Sequence, residues 1–432
     1  MKNVLYITYY FPPSGGSGVQ RGLKFSKYLS EFGWNPIILC ADSRFLKQPK
    51  DFSLLQEVSK SLSVYRSFTF DVNWLFKIFW GLRLSGIVQY LQHHLFVPDI
   101  EIIWLPFARR KIREILKIHR IDLVFISGPP FSPMILGKWI KDRYNIPYIL
   151  DYRDDWSLGQ SRLDNPPPYK FQRKDKHLES LALENAEHVT VVIKTYIEDF
   201  VKNYSFMNNE KLTAIPNGYD EADFYQIVTP PYIQTNKMRI VFPGALYDRR
   251  HPAPIWKALL SLVNEKRVNP NSISIEIIGN NFSSFVFRGF EKEVALKQMV
   301  SLHPYLPHSK AIETMMKSDL LLLFSASGPR SEAVLPGKLF EYIRCGIPIL
   351  GVTNPDGLSA ELLRECGYHN IVSPDDVDGI SRVIMDLYTL WQNGSLRRLP
   401  YSDNIKRYER RELTKQLAYV FDKVIYNPSS IE

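Results

Sequence analysis

LLLLFS, residues 320–325, leads through a polar loop into PGKLFEYIRCGIPIL, residues 336–350. The order reads as a buried strand, a loop, a short helix, a glycine stop and a second buried strand. An unbroken apolar run, rather than an alternating one, marks a strand covered on both faces, as in a parallel sheet. Pro336 suits the start of the helix and Gly346 its left-handed end. Glu341 falls one turn into that helix and Lys338 precedes it. A diphosphate held at the helix start would gain from the dipole and from Lys338, while the Glu341 carboxylate can accept hydrogen bonds from hydroxyl groups.

Outward from this segment the same rhythm covers most of the chain. Apolar, β-rich runs at 4–9, 36–40, 123–127, 148–151 and 189–193 alternate with helical patterns at 19–32, 133–143 and 194–202. A second series follows, with strands at 239–242, 274–278, 320–324 and 348–352 and helices near 253–263, 309–316 and 337–345. Strands alternating with helices predict an α/β protein with parallel sheets covered on both faces. Between the series lies IPNGYDEADFYQIVTPPYIQTNK, residues 215–237, with a Pro-Asn-Gly turn, a Pro-Pro pair and no clear period. The expected organisation is an N-terminal domain over 1–215, a linker over 216–237, a C-terminal domain over 238–402, and a closing helix and tail over 403–432.

With 432 residues, 45% hydrophobic and 23% charged, the chain is long enough for two full cores and has an ordinary globular composition. Disordered, collagen-like and disulfide-scaffold classes are excluded. Cys40, Cys345 and Cys366 stand far apart, which encodes neither a zinc ribbon nor a disulfide framework and fits a reducing compartment. The net charge of +9 favours an anionic partner. MKNVLYITYYFPP reads as a buried strand rather than a signal peptide, and no run of about 18 uncharged apolar residues predicts a membrane span.

One region breaks the rhythm. Residues 70–107 hold Trp74, Phe76, Phe79, Trp80, Phe96, Trp104 and Phe107 on helical patterns, and Arg109, Arg110, Lys111, Arg113, Lys117 and Arg120 follow. Aromatic groups beside a basic cluster suit a helix lying on an anionic membrane surface. An insertion, about 65–120, packed on its own domain beside a solvated basic helix accounts for the pattern equally well.

Two strand ends carry ligand-type loops. The first strand runs into Pro12-Pro13-Ser14-Gly15-Gly16-Ser17-Gly18 and a helix, where glycine allows close backbone approach and the helix start offers N–H groups to an anion. The last position of a dinucleotide fingerprint is Arg21 instead of glycine, which argues against NAD or FAD. Asp151-Tyr152-Arg153-Asp154-Asp155-Trp156 follows another strand and is well placed for chemistry. Asp154 with Asp155, and Asp376 with Asp378, have too few further ligands for a metal site, and the second pair reads as a helix start.

YYFPPSGGSGVQR (9–21), ISGPPFSP (126–133) with ILDYRDDW (149–156), IPNGYD (215–220), FPGALYDRRHP (242–252) and PGKLFEYIRCGIPIL, in this order, resemble the family 4 glycosyltransferases of the GT-B fold, most of all bacterial enzymes of surface-polysaccharide synthesis. The resemblance implies two Rossmann-like domains facing a cleft, with the last helix crossing back to the N-terminal domain. It implies a retaining transfer of sugar from a nucleoside diphosphate to a glycan or lipid-linked acceptor, with no metal or other cofactor. By position, Gly15, Gly16, Gly244, Arg250, Glu332, Gly337, Lys338, Leu339 and Glu341 are the expected donor contacts. Arg250 and Lys338 stabilise the leaving diphosphate and Glu341 holds the ribose. Arg21, Ser127, Pro130, Asp154 and Trp156 are expected on the acceptor side, with Asp154 and Arg153 joining Arg250 and Lys338 in catalysis.

Three departures stand out: Ala333 where the family has the first Glu of its Glu-x7-Glu motif, with Glu332 beside it; Ala245 in place of an Arg; and Ser127 in place of a His. They motivate an alternative, a catalytically silent GT-B scaffold or regulator that binds nucleotide-sugar or glycan; an epimerase or phosphorylase on the same architecture is a further one. No zinc-finger or RNA-stacking motif supports nucleic-acid binding. The implied location is cytoplasmic, peripheral on the inner membrane.

Overall fold

The computed structural model describes residues 1–159, 166–225, 235–244, 246, 252–279, 293–325 and 328–426. Arg250, Ala245 and the side chain of Trp74 lie outside the described residues. The chain forms two compact units, Met1–Pro216 with Arg410–Glu432, and Asn217–Glu409.

The first unit holds seven strands: β1 (Lys2–Thr8), β2 (Trp34–Ala41), β3 (Ser63–Ser67), β4 (Leu123–Gly128), β5 (Tyr148–Tyr152), β6 (His188–Val191) and β7 (Leu212–Ala214). Their order is β3-β2-β1-β4-β5-β6-β7, and all pairs are parallel. Side chains alternate between two cores. Leu5, Ile7, Ile126 and Leu150 pack with Trp104, Ile112 and Leu136 on one face. On the other, Val4, Tyr6 and Phe125 pack with Leu23 and with Leu417 and Phe421 of the closing helix, Arg410–Tyr426. Phe421 meets Trp34 and Phe125 edge-on at 5.2 and 5.1 Å.

The second unit holds β8 (Met238–Pro243), β9 (Ile273–Ile278), β10 (Val300–His303), β11 (Leu320–Phe324), β12 (Ile349–Val352) and β13 (Ile371–Val372), ordered β10-β9-β8-β11-β12-β13, again all parallel. In each sheet the strand order reverses once, between β1 and β4 and between β8 and β11. Loops diverge at such a point and leave a crevice beyond the strand ends, where open α/β sheets bind ligands.

Two boundaries differ from expectation. The segment from Asn217 to Tyr225 belongs to the second unit rather than to a linker, because Tyr219 and Phe224 are buried in its core and Glu221 pairs with Arg344. The closing helix starts at Arg410, not 403. Asp403–Tyr408 is a 3-10 segment of the second unit, fixed by buried Ile405 and by Tyr408 packing 4.9 Å from Phe340. Asp376 caps the helix Val377–Gln392 through the Gly379 N–H at 2.7 Å.

The aromatic region divides. Trp104 is wholly buried beside the first sheet, and the helix Leu105–Ile118 buries Ala108, Ile112 and Ile115 there. Among the described residues the helices Asn73–Gly81 and Ser85–His94 share a small core around Phe76 and Val88. Among the described residues no helix is long and apolar enough to cross a membrane.

Candidate functional site

The first crevice is built on a buried ion pair. Arg21, on the inner face of the helix Ser17–Tyr28, donates from Nε and Nη2 to both Asp151 oxygens at 2.9 and 2.7 Å, and to the carbonyls of Ile215 and Pro216. Ser127 and Thr190 hydroxyls donate to the same carboxylate at 2.7 and 2.8 Å. Burial would raise the Asp151 pKa, but Arg21 and the two hydroxyls outweigh it and hold the group below its ordinary value. Arg21 and Ser127, expected at the acceptor, are therefore committed to the scaffold. They are 1% and 2% exposed, too little to reach a ligand.

Arg153 is committed as well, and this revises its expected catalytic part. Its guanidinium donates to the carbonyls of Gly18, Gly128 and Pro129, joining the start of the glycine-loop helix to the turn after β4. Trp156 is buried, stacks on Phe131 at 5.3 Å and donates its indole N–H to Asp175 at 2.7 Å. Pro130 is buried too. Both are walls rather than acceptor contacts. Asp154 is exposed at the strand end and stays in the candidate set.

The Gly15 N–H is donated to the Pro49 carbonyl at 2.7 Å, which takes it from the anion-binding set. Gly16 adopts φ +95° at the helix start, a conformation glycine tolerates and other residues rarely do.

The second crevice lies at the end of β8. Lys338 opens the helix Lys338–Cys345, and its Nζ lies 3.5 Å over the Phe242 ring and 3.3 Å from the Pro243 carbonyl, at the end of β8. Gly244 lies against the same ammonium: a Cβ added there would come within 2.4 Å of it. Glu341 is three residues further on the same helix face. Its Oε1 is 2.9 Å from His308 Nε2, and His308 Nδ1 is 3.8 Å from Asp223. His308 thus holds Glu341 in place. Gly337 sits at the helix entrance beside Asn217.

Leu339 is fully buried in the core and its N–H is donated to the Pro336 carbonyl, so it is no donor contact. Glu332 is exposed on the 3-10 segment Ser331–Ala333, whose backbone packs against Gly357.

Sequence reading missed Asp175 and Glu179, which hold Trp156 and the Ser157 N–H. They lie on the buried face of Tyr169–Asn185 with Phe171 and Ala182, and two acids four apart on an apolar face were the available signal. It also missed His308, for which no local signal exists.

Two parallel sheets of seven and six strands, each reversing its strand order once, form the GT-B fold. Residues 23–223, all but the last few of them in the first unit, match the model of Glycosyltransferase Family 4. Solved structures share the fold along nearly the whole chain. HepE from Anabaena in complex with UDP-glucose aligns at TM-score 0.60 and 13% identity, over 98% of this chain and 100% of that one. The lipopolysaccharide outer core galactosyltransferase WaaB aligns at 0.53 and 12%, over 99% of each chain. The trehalose-6-phosphate synthase OtsA aligns at 0.65 and 11%, over 98% and 99%. No curated protein matches the sequence.

Proposed function

We propose that this protein is a retaining glycosyltransferase moving a sugar from a nucleoside-diphosphate sugar to a glycan or lipid-linked glycan in cell-surface polysaccharide synthesis. The observation that carries this reading is the pairing of Lys338 at the mouth of β8 with Glu341 one turn along the same helix. The ammonium and the helix start suit a diphosphate, and the carboxylate suits a ribose diol. The UDP-glucose complex of HepE and the name of WaaB support the donor and pathway classes.

Catalysis in this scheme is stabilisation of the departing diphosphate and orientation of the acceptor hydroxyl. Lys338, Gly337 and Arg250 serve the first task and Asp154 the second. A thermal-shift screen of UDP-, GDP-, ADP- and dTDP-sugars tests the donor. Release of nucleoside diphosphate on adding a glycan acceptor tests the transfer. The absence of Glu at 333 favours a second reading, a silent scaffold, for which a donor binds and no diphosphate is released.

Three results are expected. Glu341→Ala weakens donor binding by one to two decades, since a hydrogen bond to a charged group contributes roughly 1.5–3 kcal/mol. His308→Ala loses less, because the carboxylate remains but is no longer oriented. Calorimetry distinguishes the two. Activity persists in excess EDTA, because protein cations rather than a divalent ion meet the diphosphate charge; loss restored by magnesium or manganese defeats this scheme.

The protein is further proposed to sit peripherally on the cytoplasmic face of the inner membrane. Ile78, Trp80, Leu82, Ile87, Tyr90 and Leu95 are exposed on the hairpin of Asn73–Gly81 and Ser85–His94. Arg110, Arg113, Lys117 and Arg120 are exposed on or just beyond Leu105–Ile118. Exposed apolar side chains on the hairpin and exposed cations on the helix that follows suit anionic lipid, at about 1 kcal/mol per basic group. Wild type is expected to sediment with anionic liposomes at low salt and less at 1 M salt, where the Debye length falls to about 3 Å. Trp80→Ser with Arg110, Arg113 and Lys117 changed to Ser should stay in the supernatant. Wild type that never sediments defeats the membrane reading.

A further inference from the structure

Two carboxyl groups are wholly buried at β5, and they differ in one respect. Asp151 has Arg21 as its counter-ion. Glu179, on the helix Tyr169–Asn185, is buried as deeply, and among the described residues no cation pairs with it. An ionised carboxyl without a counter-ion is costly to bury, so such a group keeps its proton. The hydrogen bonds agree. Glu179 Oε2 accepts the Ser157 N–H at 3.1 Å and the Tyr204 hydroxyl at 2.7 Å, whereas Oε1 has no donor among the described residues. A carboxylate has room for about four donors; a neutral acid needs fewer and has an O–H of its own to give. The Tyr152 hydroxyl, at the end of β5, is buried without a partner too and lies within electrostatic reach of Glu179.

The groups around Glu179 come from every element packed on it. Tyr152 faces it from β5, Ser157 from the segment that follows β5, and Tyr204 from the end of the helix Thr195–Asn203. Asp175 lies one turn back on its own helix, and Lys176 is exposed, 5.8 Å over the Tyr204 ring. Burial pushes the Glu179 carboxyl up to about 7, and Asp175 adds to the rise, against the opposing hydrogen bonds from Ser157 and Tyr204.

What this acid holds is the segment that carries Asp154. Trp156 gives its indole N–H to Asp175, Ser157 gives its backbone N–H to Glu179, and Ser157 Oγ meets the Tyr204 hydroxyl at 3.3 Å. The segment then turns tightly at Gly159, where an added Cβ would come within 2.8 Å of the Asp155 carbonyl oxygen. We propose that Glu179 is a positioning residue whose neutral carboxyl holds residues 154–159 against β5 and whose ionisation releases them to water. The folded value lies above the unfolded value of about 4.3, so the hold is complete below about 4.3 and is lost as pH rises through the folded value. That Asp154 then loses its orientation toward an acceptor hydroxyl rests on the glycosyltransferase reading; the release itself does not.

The test uses the full chain labelled with 5-fluorotryptophan, with the Trp156 signal in fluorine NMR assigned by Trp156→Phe. In wild type that signal should titrate with a midpoint of about 7. In Glu179→Gln, which keeps the shape and stays neutral, it should be flat between about pH 5.5 and 8.5. Tyr204→Phe removes a donor that favours the carboxylate, so its midpoint should move up. Hydrogen exchange of amides 154–159, corrected for intrinsic rates, should give an opening constant on the order of a hundredfold larger at about pH 8 than at about pH 5 in wild type, and the same at both in Glu179→Gln. A flat wild-type signal overturns the proposal. A titration that persists in Glu179→Gln does the same, because another group is then its source. If Glu179→Gln does not fold, a Tyr204→Phe midpoint that fails to rise overturns it instead. Nucleoside-diphosphate release should decline above pH 7 more steeply in wild type than in Glu179→Gln, with the donor KM unchanged; equal profiles in an active protein count against the positioning role. A titrating Trp156 in a protein that releases no diphosphate at any pH supports that role and overturns the glycosyltransferase reading.

Discussion

Replacing Lys338 by alanine should lower the rate of nucleoside-diphosphate release by on the order of 10²–10³, the cost of removing one preorganised group that meets developing negative charge. Lys338 is suited to this part because its ammonium is held on two sides. The Phe242 ring lies 3.5 Å beneath it and the Pro243 carbonyl 3.3 Å away. Both are weak partners that a diphosphate oxygen can outbid, and they hold the ammonium at the end of β8. Lys338→Arg keeps the charge but not the compact head, and the contact with Gly244 leaves little room for a guanidinium. Partial recovery is expected there. The side chain is outside the buried core, so melting temperature should be nearly unchanged in both variants. Equal rates in wild type and Lys338→Ala would remove this lysine from the diphosphate site.

Arg21→Met should destabilise the first unit by about 3–5 kcal/mol, because it leaves Asp151 charged, buried and without its counter-ion. The loss is read as the shift of the first-unit transition in urea. Asp151 has a lowered pKa in the fold. Its contribution in wild type is thus present above the unfolded value of about 3.9 and is lost as pH falls through the folded value. In Arg21→Met the unpaired carboxyl takes up a proton at higher pH, so the penalty should shrink on going from pH 7 to pH 4. Arg21→Met with Asp151→Leu should recover part of the stability; the carbonyls of Ile215 and Pro216 and the hydroxyls of Ser127 and Thr190 still lose partners. A single-variant loss below about 1 kcal/mol at pH 7 would show the network to be solvated.

The fold was largely legible in the sequence. Nine strands were read from unbroken apolar runs, and every one of them is an interior strand of its sheet. The four that went unread, β3, β7, β10 and β13, are the four edges. Edge strands are covered less completely, so SVYRS in β3 and VSLH in β10 need no continuous hydrophobic run and leave none to find. Local spacing also placed Lys338 and Glu341 together, because three residues on a helix share a face whatever surrounds them.

Which polar groups remain available to a ligand was a different matter. Arg21 lies 130 residues from Asp151, and His308 lies 33 from Glu341. Asp99 reaches Ser132, and Trp156 reaches Asp175, only after helices and loops close over the sheet. The sequence by itself determined the two doubly wound sheets, the loops at their strand ends and the helix that carries Lys338 and Glu341, since these follow from hydrophobic period and turn chemistry along the chain. Only the tertiary structure decided that Arg21, Ser127, Arg153 and Trp156 belong to the scaffold and that His308 orients Glu341, because a polar side chain buried by folding must take a partner wherever the packed chain supplies one.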